Sequence, residues 1–499
     1  MPPMSSSPSL AGRALLAVLL MIGFYLLAIA MACGLLYIPY AEVVYAHRLH
    51  LKIVLICICG GLAILWSVLP RFDRFEAPGP QLTADQHPQL FTELEGVAQS
   101  VQQAMPAEVY LVPDVNAWVA QRGGIMGFGG RRVMGLGLPL MRLLTRSQFR
   151  AVLAHEFGHY YGGDTRLGPW IYKTRGAIGR TLQSLGDGSW LQLPFLWYGK
   201  MFLRITHAIS RRQEFVADEL AARVAGSQPL IAGLRTIHGV APAFNAYWSN
   251  ECAPVLSAGY RPPLTEGFQR FVEAGQVAEA IHRHLDEEMK TGKVDPYDTH
   301  PPLKDRIAAV ENLPPGNPGP DDPPATSLLN DLPGLESRLL AALVNPDAAG
   351  KLKPIAWDEV STRVYLPQWT TLVQANASAL SGLTPESLPQ TAANLKSFGF
   401  RLRTPDGGTA DTDNAEGLAC AVVGAALALL LVQRGGTAHS PPGQPVSVTV
   451  GSAAIEPFGL LRSLADGKLT VDEWQRQCND LGIRGVDLGK VAPPLETTP

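Results

Sequence analysis

The chain has 499 residues, too many for one ordinary domain, and its 41 Lys and Arg against 44 Asp and Glu leave a formal net charge of −3. That balance excludes a nucleic-acid partner, which would need a surplus of cationic side chains facing phosphate. Six cysteines without a C-x-x-C pair indicate neither a disulfide framework nor a cysteine-built zinc site.

Leu10 to Ile38 is almost uninterruptedly apolar and long enough to span a bilayer with tilt, and Leu51 to Leu69 is a second such run. The first run is too long for a cleaved signal peptide, and a second span follows it closely. Residues 1–75 therefore read as a membrane anchor, a hairpin of two transmembrane helices over 10–38 and 51–69. The short connector places the N-terminus and everything after Pro70 on one side. Arg13, Arg71 and Arg74 flank that side against Arg48 and Lys52 in the connector, a thin positive-inside bias toward the cytoplasm.

Glu108 to Leu111 alternates in strand fashion, and Asn116 to Ala120 continues extended. A glycine-rich turn from Gly123-Gly124 to Gly129-Gly130 then leads into Arg132 to Leu138, which predicts a hairpin. An exposed edge strand there could pair its backbone with an extended peptide. Asn116 is the candidate for fixing that peptide, and a plain turn asparagine is the alternative.

Thr145 followed by Gln148 forms a capping-box start, Phe149, Val152, Leu153 and Phe157 supply an apolar stripe, and Gly162-Gly163 is a plausible stop. The helix so bounded contains His155-Glu156-Phe157-Gly158-His159. Residues four apart lie one turn above each other, so both imidazoles can converge on one metal ion with Glu156 beside the open position. Trp190 to Leu203 is rich in aromatics and leucine but interrupted by Gln192, Pro194 and Lys200. A re-entrant segment, a surface-lying helix and a core helix all fit it.

Ser210 to Asp218 predicts a second helix, closed by Gly226 and Pro229. A catalytic metal site needs a third protein ligand. Glu214 can supply it, and Asp218, one turn on, can hydrogen-bond the free ring nitrogen of a ligating histidine. Taken alone, this spacing fits a solvated acidic face equally. His282 and His284 stand among Asp286, Glu287 and Glu288 and read as such a face. His300-Pro301-Pro302 predicts a tight turn capping a helix that begins near Leu303. Pro/Gly/Asp-rich residues at 314–327 read as a flexible or extended linker that ends a domain begun at residue 76. Residues 328–499 predict a separate C-terminal domain of unknown role, with a short strand at Val446 to Val450 and an amphipathic helix at Val471 to Leu481. Gly417 to Val432 favours a buried helix over a third span. No catalytic constellation is visible there.

Four of these segments, His155 to His159, Ser210 to Asp218, Thr299 to Ile307 and Asn116-Ala117-Trp118, resemble in that combination the M48 family of membrane-associated zinc metallopeptidases. That group includes the HtpX-like, Ste24-like and Oma1-like proteases. The resemblance implies one Zn2+ per chain held by His155, His159 and Glu214, with Glu156 as general base and Asp218 behind a histidine ligand. It also implies that Asp164 is structural and that Asn116 belongs to a substrate strand. His300 and Arg306 would face the cleft, His300 as a catalytic group beside the oxyanion and Arg306 toward substrate. The expected fold class is mainly α with a small antiparallel sheet (α+β), with a zincin-type (gluzincin) core over 76–313. Expected partners are polypeptide substrates, above all membrane proteins in quality control, and the lipid bilayer. The expected location is an inner or plasma membrane with the protease domain facing the cytoplasm.

A non-hydrolytic membrane adaptor or chaperone with a structural zinc is the alternative, against which Glu156 speaks, because a structural site has no use for a base beside an open position. CAAX-type processing of prenylated proteins is a distant second, since it requires a large multi-span chamber.

Overall fold

A computed structural model describes residues 8–47, 50–69, 71, 75–124, 129–160, 168–186, 188–291, 300–317, 319–344, 350–404, 407–408, 411 and 413–492. Asp164, Gly162, Gly163, Arg48, Arg74 and Thr299 lie outside the described residues, as does the side chain of Arg13. The chain forms two compact units, Met1–Ala241 with His282–Ala342, and Pro242–Ile281 with Leu343–Pro499.

The first unit begins with α1 (Pro8–Ala41) and α2 (Leu51–Val68). The end of α1 loosens into a π turn over Glu42–Ala46 and stops where His47 takes φ 47°. The two helices meet at Gly61, where an added Cβ would stand 3.2 Å from the Ala32 carbonyl oxygen, so only a residue without a side chain permits that approach. Both are long and apolar enough to cross a membrane, and only 33% and 22% of their most apolar stretches are buried within the chain. Leucines and isoleucines that face outward over such lengths suit lipid and not water.

The sheet follows, with β1 (Gln81–Leu82), α3 (Pro88–Ser100), β2 (Glu108–Val112), β3 (Ala117–Arg122) and β4 (Arg131–Gly137) in order along the chain. Its spatial order is β1-β2-β4-β3. β2 and β4 are parallel while the outer pairs are antiparallel, so the sheet is mixed and not the antiparallel one expected. The reason lies in burial. Val133 to Gly137 of β4 are buried and fill the centre, whereas most of β3 is half-exposed and takes the edge. The hairpin expected between Asn116 and Leu138 is present as β3–β4.

After α4 (Leu138–Leu143) comes α5 (Arg146–Gly158), whose capping box of Thr145 and Gln148 forms as the spacing predicts. A second cap arrives from far along the chain. Asp322 accepts hydrogen bonds from the Ser147 amide at 2.9 Å and the Ser147 hydroxyl at 2.5 Å, and the Arg146 amide donates to the Pro323 carbonyl at 2.9 Å. Pro314 and Pro315 likewise accept from the Ser227 and Gln228 amides. The Pro/Gly-rich run is thus hydrogen-bonded at both of its ends, because prolines leave carbonyls free to accept while giving up donors.

α6 (Gly168–Ser184) and α7 (Leu193–Ala225) complete the framework. With 33 residues, α7 is about 50 Å long at 1.5 Å per residue. Its first half packs Phe195 and Phe202 into a core shared with Phe24, Ala28 and Ala32 of α1 and with Ala177 and Ile178 of α6. The Tyr198 hydroxyl also donates to the Leu20 carbonyl at 2.7 Å. Trp190, Leu193 and Trp197 point outward, 68%, 63% and 71% exposed, on the outside of this bundle. The segment that left three readings open is therefore a helix against the membrane pair, continuous with the helix that carries Glu214. α8 (Ser227–Tyr247), α9 (Gly275–Thr291), α10 (Leu303–Val310) and α11 (Leu332–Leu343) follow.

In the second unit the helix Ala415–Gln433 is apolar enough to span a membrane, yet 72% of its most apolar stretch is buried among the unit's own side chains. Trp369, Leu388, Leu460 and Trp474 pack around it, so it is a core helix, as expected. Beside it lies a three-stranded antiparallel sheet of Thr437–His439, Ser447–Val450 and Ala453–Ile455, of which only the middle strand is expected from the sequence. The helix expected near its end runs over Val471–Asp480, with a capping box of Thr470 and Glu473. A separate aromatic cluster of Tyr247, Phe268, Phe271 and Trp357 is pinned by the Trp357 indole, which donates to the Pro263 carbonyl at 2.9 Å.

Candidate active site

Two helices carry the site, and one glycine sets their distance. A Cβ added to Gly158 of α5 would stand 3.0 Å from Ala217 Cα and 3.2 Å from Ala217 Cβ of α7, so the backbones lie closer there than side chains would allow. Flanking that contact, His155 and His159 face Glu214 and Asp218. His155 Nε2 lies 3.5 Å from Glu214 Oε2, and His159 Nε2 lies 3.5 Å from Glu214 Oε1. The imidazole centroids are 4.7 Å apart. One donor atom from each of His155, His159 and Glu214 falls within 4.8 Å of the other two, which makes these three a metal-sized group.

Behind the donors the carboxylate of Asp218 is fully buried, with Oδ1 at 2.9 Å from His155 Nδ1. This fixes the ring so that Nε2 turns toward the open centre. Arg306, from the first turns of α10, donates to Asp218 from Nε at 2.8 Å and from Nη2 at 2.7 Å, and its Nη2 also stands 3.4 Å from Glu214 Oε2. Arg306 is only 3% exposed. The expectation that it meets substrate at the cleft surface is corrected: a guanidinium forked onto a buried carboxylate braces the site from behind.

His300 is exposed at the mouth, with Nε2 at 3.8 Å from Glu214 Oε1, and α10 begins at Leu303 as the His-Pro-Pro turn predicts. Asn116 is exposed just ahead of the edge strand β3, its carbonyl accepting from the Gly137 amide at 2.8 Å. Glu156 stands apart from the donor group and is half-buried, with its carboxylate hydrogen-bonded by the backbone of Val119 on β3.

The electrostatics describe a place built for a cation. Burial works against a charge on His155, but hydrogen bonds to Asp218 and Glu214 outweigh it and hold its pKa at about 10. Burial also opposes the charge of Glu214, yet His155 lowers it to about 2, and burial with the neighbouring His155 lowers His159 to about 4. Glu214 thus faces the centre as an anion, while Asp218 behind the donors is already paired with Arg306. A divalent ion at the centre would answer the charge of Glu214. Glu214 Oε2 is buried, with His155 Nε2 at 3.5 Å and Arg306 Nη2 at 3.4 Å as its charged neighbours. Two imidazole nitrogens and one carboxylate oxygen are a donor set for zinc with a fourth position open. Glu156 differs from the rest: burial raises it to about 7, where a carboxylate can both take and return a proton.

Two contributors are not legible in the motifs. Gly158 sits in an unspecified position of the pentad, and its role depends on Ala217 coming opposite. Tyr160, directly after His159, donates its hydroxyl to the Val119 carbonyl at 3.0 Å.

Residues 84–313 match the model of peptidase family M48. Protease HtpX of Vibrio cholerae serotype O1 is 27% identical over 246 residues, covering 44% of this chain and 71% of that protein. The Protease HtpX homolog of Leuconostoc citreum is 24% identical over 262 residues, covering 47% of this chain and 76% of the relative. The homolog of Archaeoglobus fulgidus is 25% identical over 193 residues, covering 35% and 54%. No solved structure matches. With the His-His-Glu group lying inside the matched residues, residues 84–313 are a metallopeptidase region of peptidase family M48, distantly related to the HtpX proteases.

Proposed function

We propose that this chain is a membrane-anchored zinc endopeptidase in which His155, His159 and Glu214 hold the metal and Glu156 is the general base. The observation that carries the reading is the separation of roles on α5. His155 and His159 join Glu214 in one metal-sized group, while Glu156 lies beside that group, outside it and hydrogen-bonded to the edge strand.

When bound, zinc supplies a Lewis acid and lowers the pKa of a water from about 15.7 toward roughly 7. Glu156 takes the proton of the attacking water and returns it to the leaving amine, which is why the carboxylate stands next to the donors and is not one of them. Asp218 and Arg306 hold His155 in the tautomer that presents Nε2. His300, at the mouth and 3.8 Å from Glu214, donates to the oxyanion that develops on the scissile carbonyl. The edge strand β3 pairs with an extended peptide, and Asn116 at its start fixes the peptide backbone.

The substrates are polypeptides in or emerging from the membrane, consistent with degradation of misfolded or surplus membrane proteins. Support comes from α7, whose first half packs against the two membrane-length helices while its second half carries Glu214, so the cleft is held near the bilayer. The peptidase faces the cytoplasm, on the charge bias that flanks the spans. Residues 328–499 select substrate or partner.

The test is metal dependence of the full chain in lipid vesicles, acting on a labelled unfolded protein. Removal of metal by a chelator should abolish cleavage, and zinc should restore it at one ion per chain. Undiminished cleavage by the stripped chain would overturn the reading.

A further inference from the structure

The sheet edge that would take a peptide is already engaged by the chain itself. β3 is the edge strand. The Asn116 carbonyl accepts from the Gly137 amide, and the same register pairs Trp118 with Gly135 and Ala120 with Val133. In an antiparallel pair every second residue exchanges hydrogen bonds with the partner strand. Asn116, Trp118 and Ala120 therefore turn their backbone groups toward β4, and Ala117, Val119 and Gln121 turn theirs toward the open side.

Val119 is the middle one of the three, and both of its outward groups are engaged by the helix α5 and the residue just beyond it. Its amide hydrogen-bonds the Glu156 carboxylate, and its carbonyl accepts the Tyr160 hydroxyl at 3.0 Å. The Tyr160 ring is held in turn. Arg132 Cζ of β4 lies 4.2 Å from its centroid, and Arg132 Nη1 donates to the Ala104 carbonyl at 3.0 Å, which keeps the guanidinium over the ring.

We propose that Tyr160 is a specificity-determining residue that latches the substrate edge, so that a peptide adding to β3 must displace its hydroxyl from the Val119 carbonyl. The inference rests on the peptidase reading, since it concerns the strand that reading assigns to substrate. A peptide that is extended across the whole edge supplies its own N–H to Val119 and replaces what it removes. A short or folded segment that reaches only Ala117 or Gln121 leaves the latch in place and gains less. The device favours unfolded chain over native loops without reading side chains.

The experiment compares Tyr160→Phe with the parent in a Glu156→Gln background, so that binding is read without turnover. The probe is a fluorescently labelled, unstructured casein-derived peptide added to the full chain in detergent, followed by anisotropy. Phenylalanine keeps the ring and its contact with Arg132 and removes only the hydroxyl. Loss of one neutral hydrogen bond that competes with the ligand should tighten binding about two- to tenfold. In the catalytic background the same substitution should lower KM by that factor. Arg132→Gln, which frees the ring, should move binding in the same direction. Unchanged or weaker binding by Tyr160→Phe at equal zinc content would overturn the latch. So would a fall in kcat with binding unaltered, because the hydroxyl would then serve the transition state. Failure of the wild-type chain to cleave at all would count against the peptidase reading alone, since the binding comparison stands without it.

Discussion

Arg306 grips Asp218 through both carboxylate oxygens, at 2.7 and 2.8 Å, although neither residue donates to the metal group. The pair is buried, so its energetics follow the rule for buried ions: removing one partner strands the other. Arg306→Ala should cost about 3–5 kcal/mol in chemical denaturation. It should also weaken zinc about 10- to 100-fold in competition with a chromogenic chelator, through loss of the His155 brace. Arg306→Lys keeps the charge without the fork and should fall between. Wild-type zinc affinity in Arg306→Ala would show that Asp218 holds His155 without help.

The approach of α5 to α7 makes Gly158 the second test. Alanine needs the neighbouring helix to yield by a few tenths of an ångström, and its better helix propensity, worth about 1 kcal/mol, offsets much of that. Valine adds branched bulk that no such gain offsets. Gly158→Val should destabilise by about 1–3 kcal/mol and bind less than one zinc per chain, because His159 moves off Glu214. Full zinc occupancy in Gly158→Val would mean that the contact does not set the donor spacing.

Asp322 provides a pH dependence away from the metal. Burial opposes its charge, but hydrogen bonds from Ser147 and Thr145 outweigh that and hold its carboxyl below the usual carboxylate range. A depressed folded-state pKa contributes stability that is present above the unfolded value, about 3.9, and is lost as pH falls through the folded value. Asp322→Ala should therefore lower Tm near neutrality by the loss of a helix-start acceptor, about 0.5–2 kcal/mol. The gap between variant and wild type should close below about pH 4. A gap constant with pH would place the effect in packing and not in the charge.

The outward residues of α7 test the membrane contact. Trp197 is 71% exposed beside the membrane-length helices. An environment-sensitive dye on Trp197→Cys, with Cys33 and Cys59 replaced by Ala, should be quenched by brominated lipids in vesicles. Emission typical of water and no quenching would put this face outside the bilayer.

What the sequence makes legible here is what short-range geometry encodes. His155 with His159, and Glu214 with Asp218, are pairs one helical turn apart, so their convergence follows once the helices are recognised. The capping box at Thr145 and the turn at His300 are local in the same sense. Arg306 belongs to a recognised motif, yet its partner Asp218 is 88 positions away in sequence, and nothing local distinguishes a cleft arginine from a buried brace. Strand order is equally non-local. β4 takes the centre of the sheet because it is the better buried strand, which turned an expected antiparallel sheet into a mixed one. The Pro/Gly-rich run reads as a linker by composition, whereas its hydrogen bonds to Arg146, Ser147 and Ser227 depend on helices elsewhere in the unit.

The most direct test of the central claim is cleavage of a labelled unfolded protein by the purified full chain, wild type against Glu156→Gln, with zinc measured on both. Cleavage by the wild type, and none by a variant that still holds one zinc, is the predicted result. Cleavage by both at similar rates would contradict Glu156 as the base, and cleavage by neither with zinc bound would favour a structural zinc in a non-hydrolytic membrane adaptor.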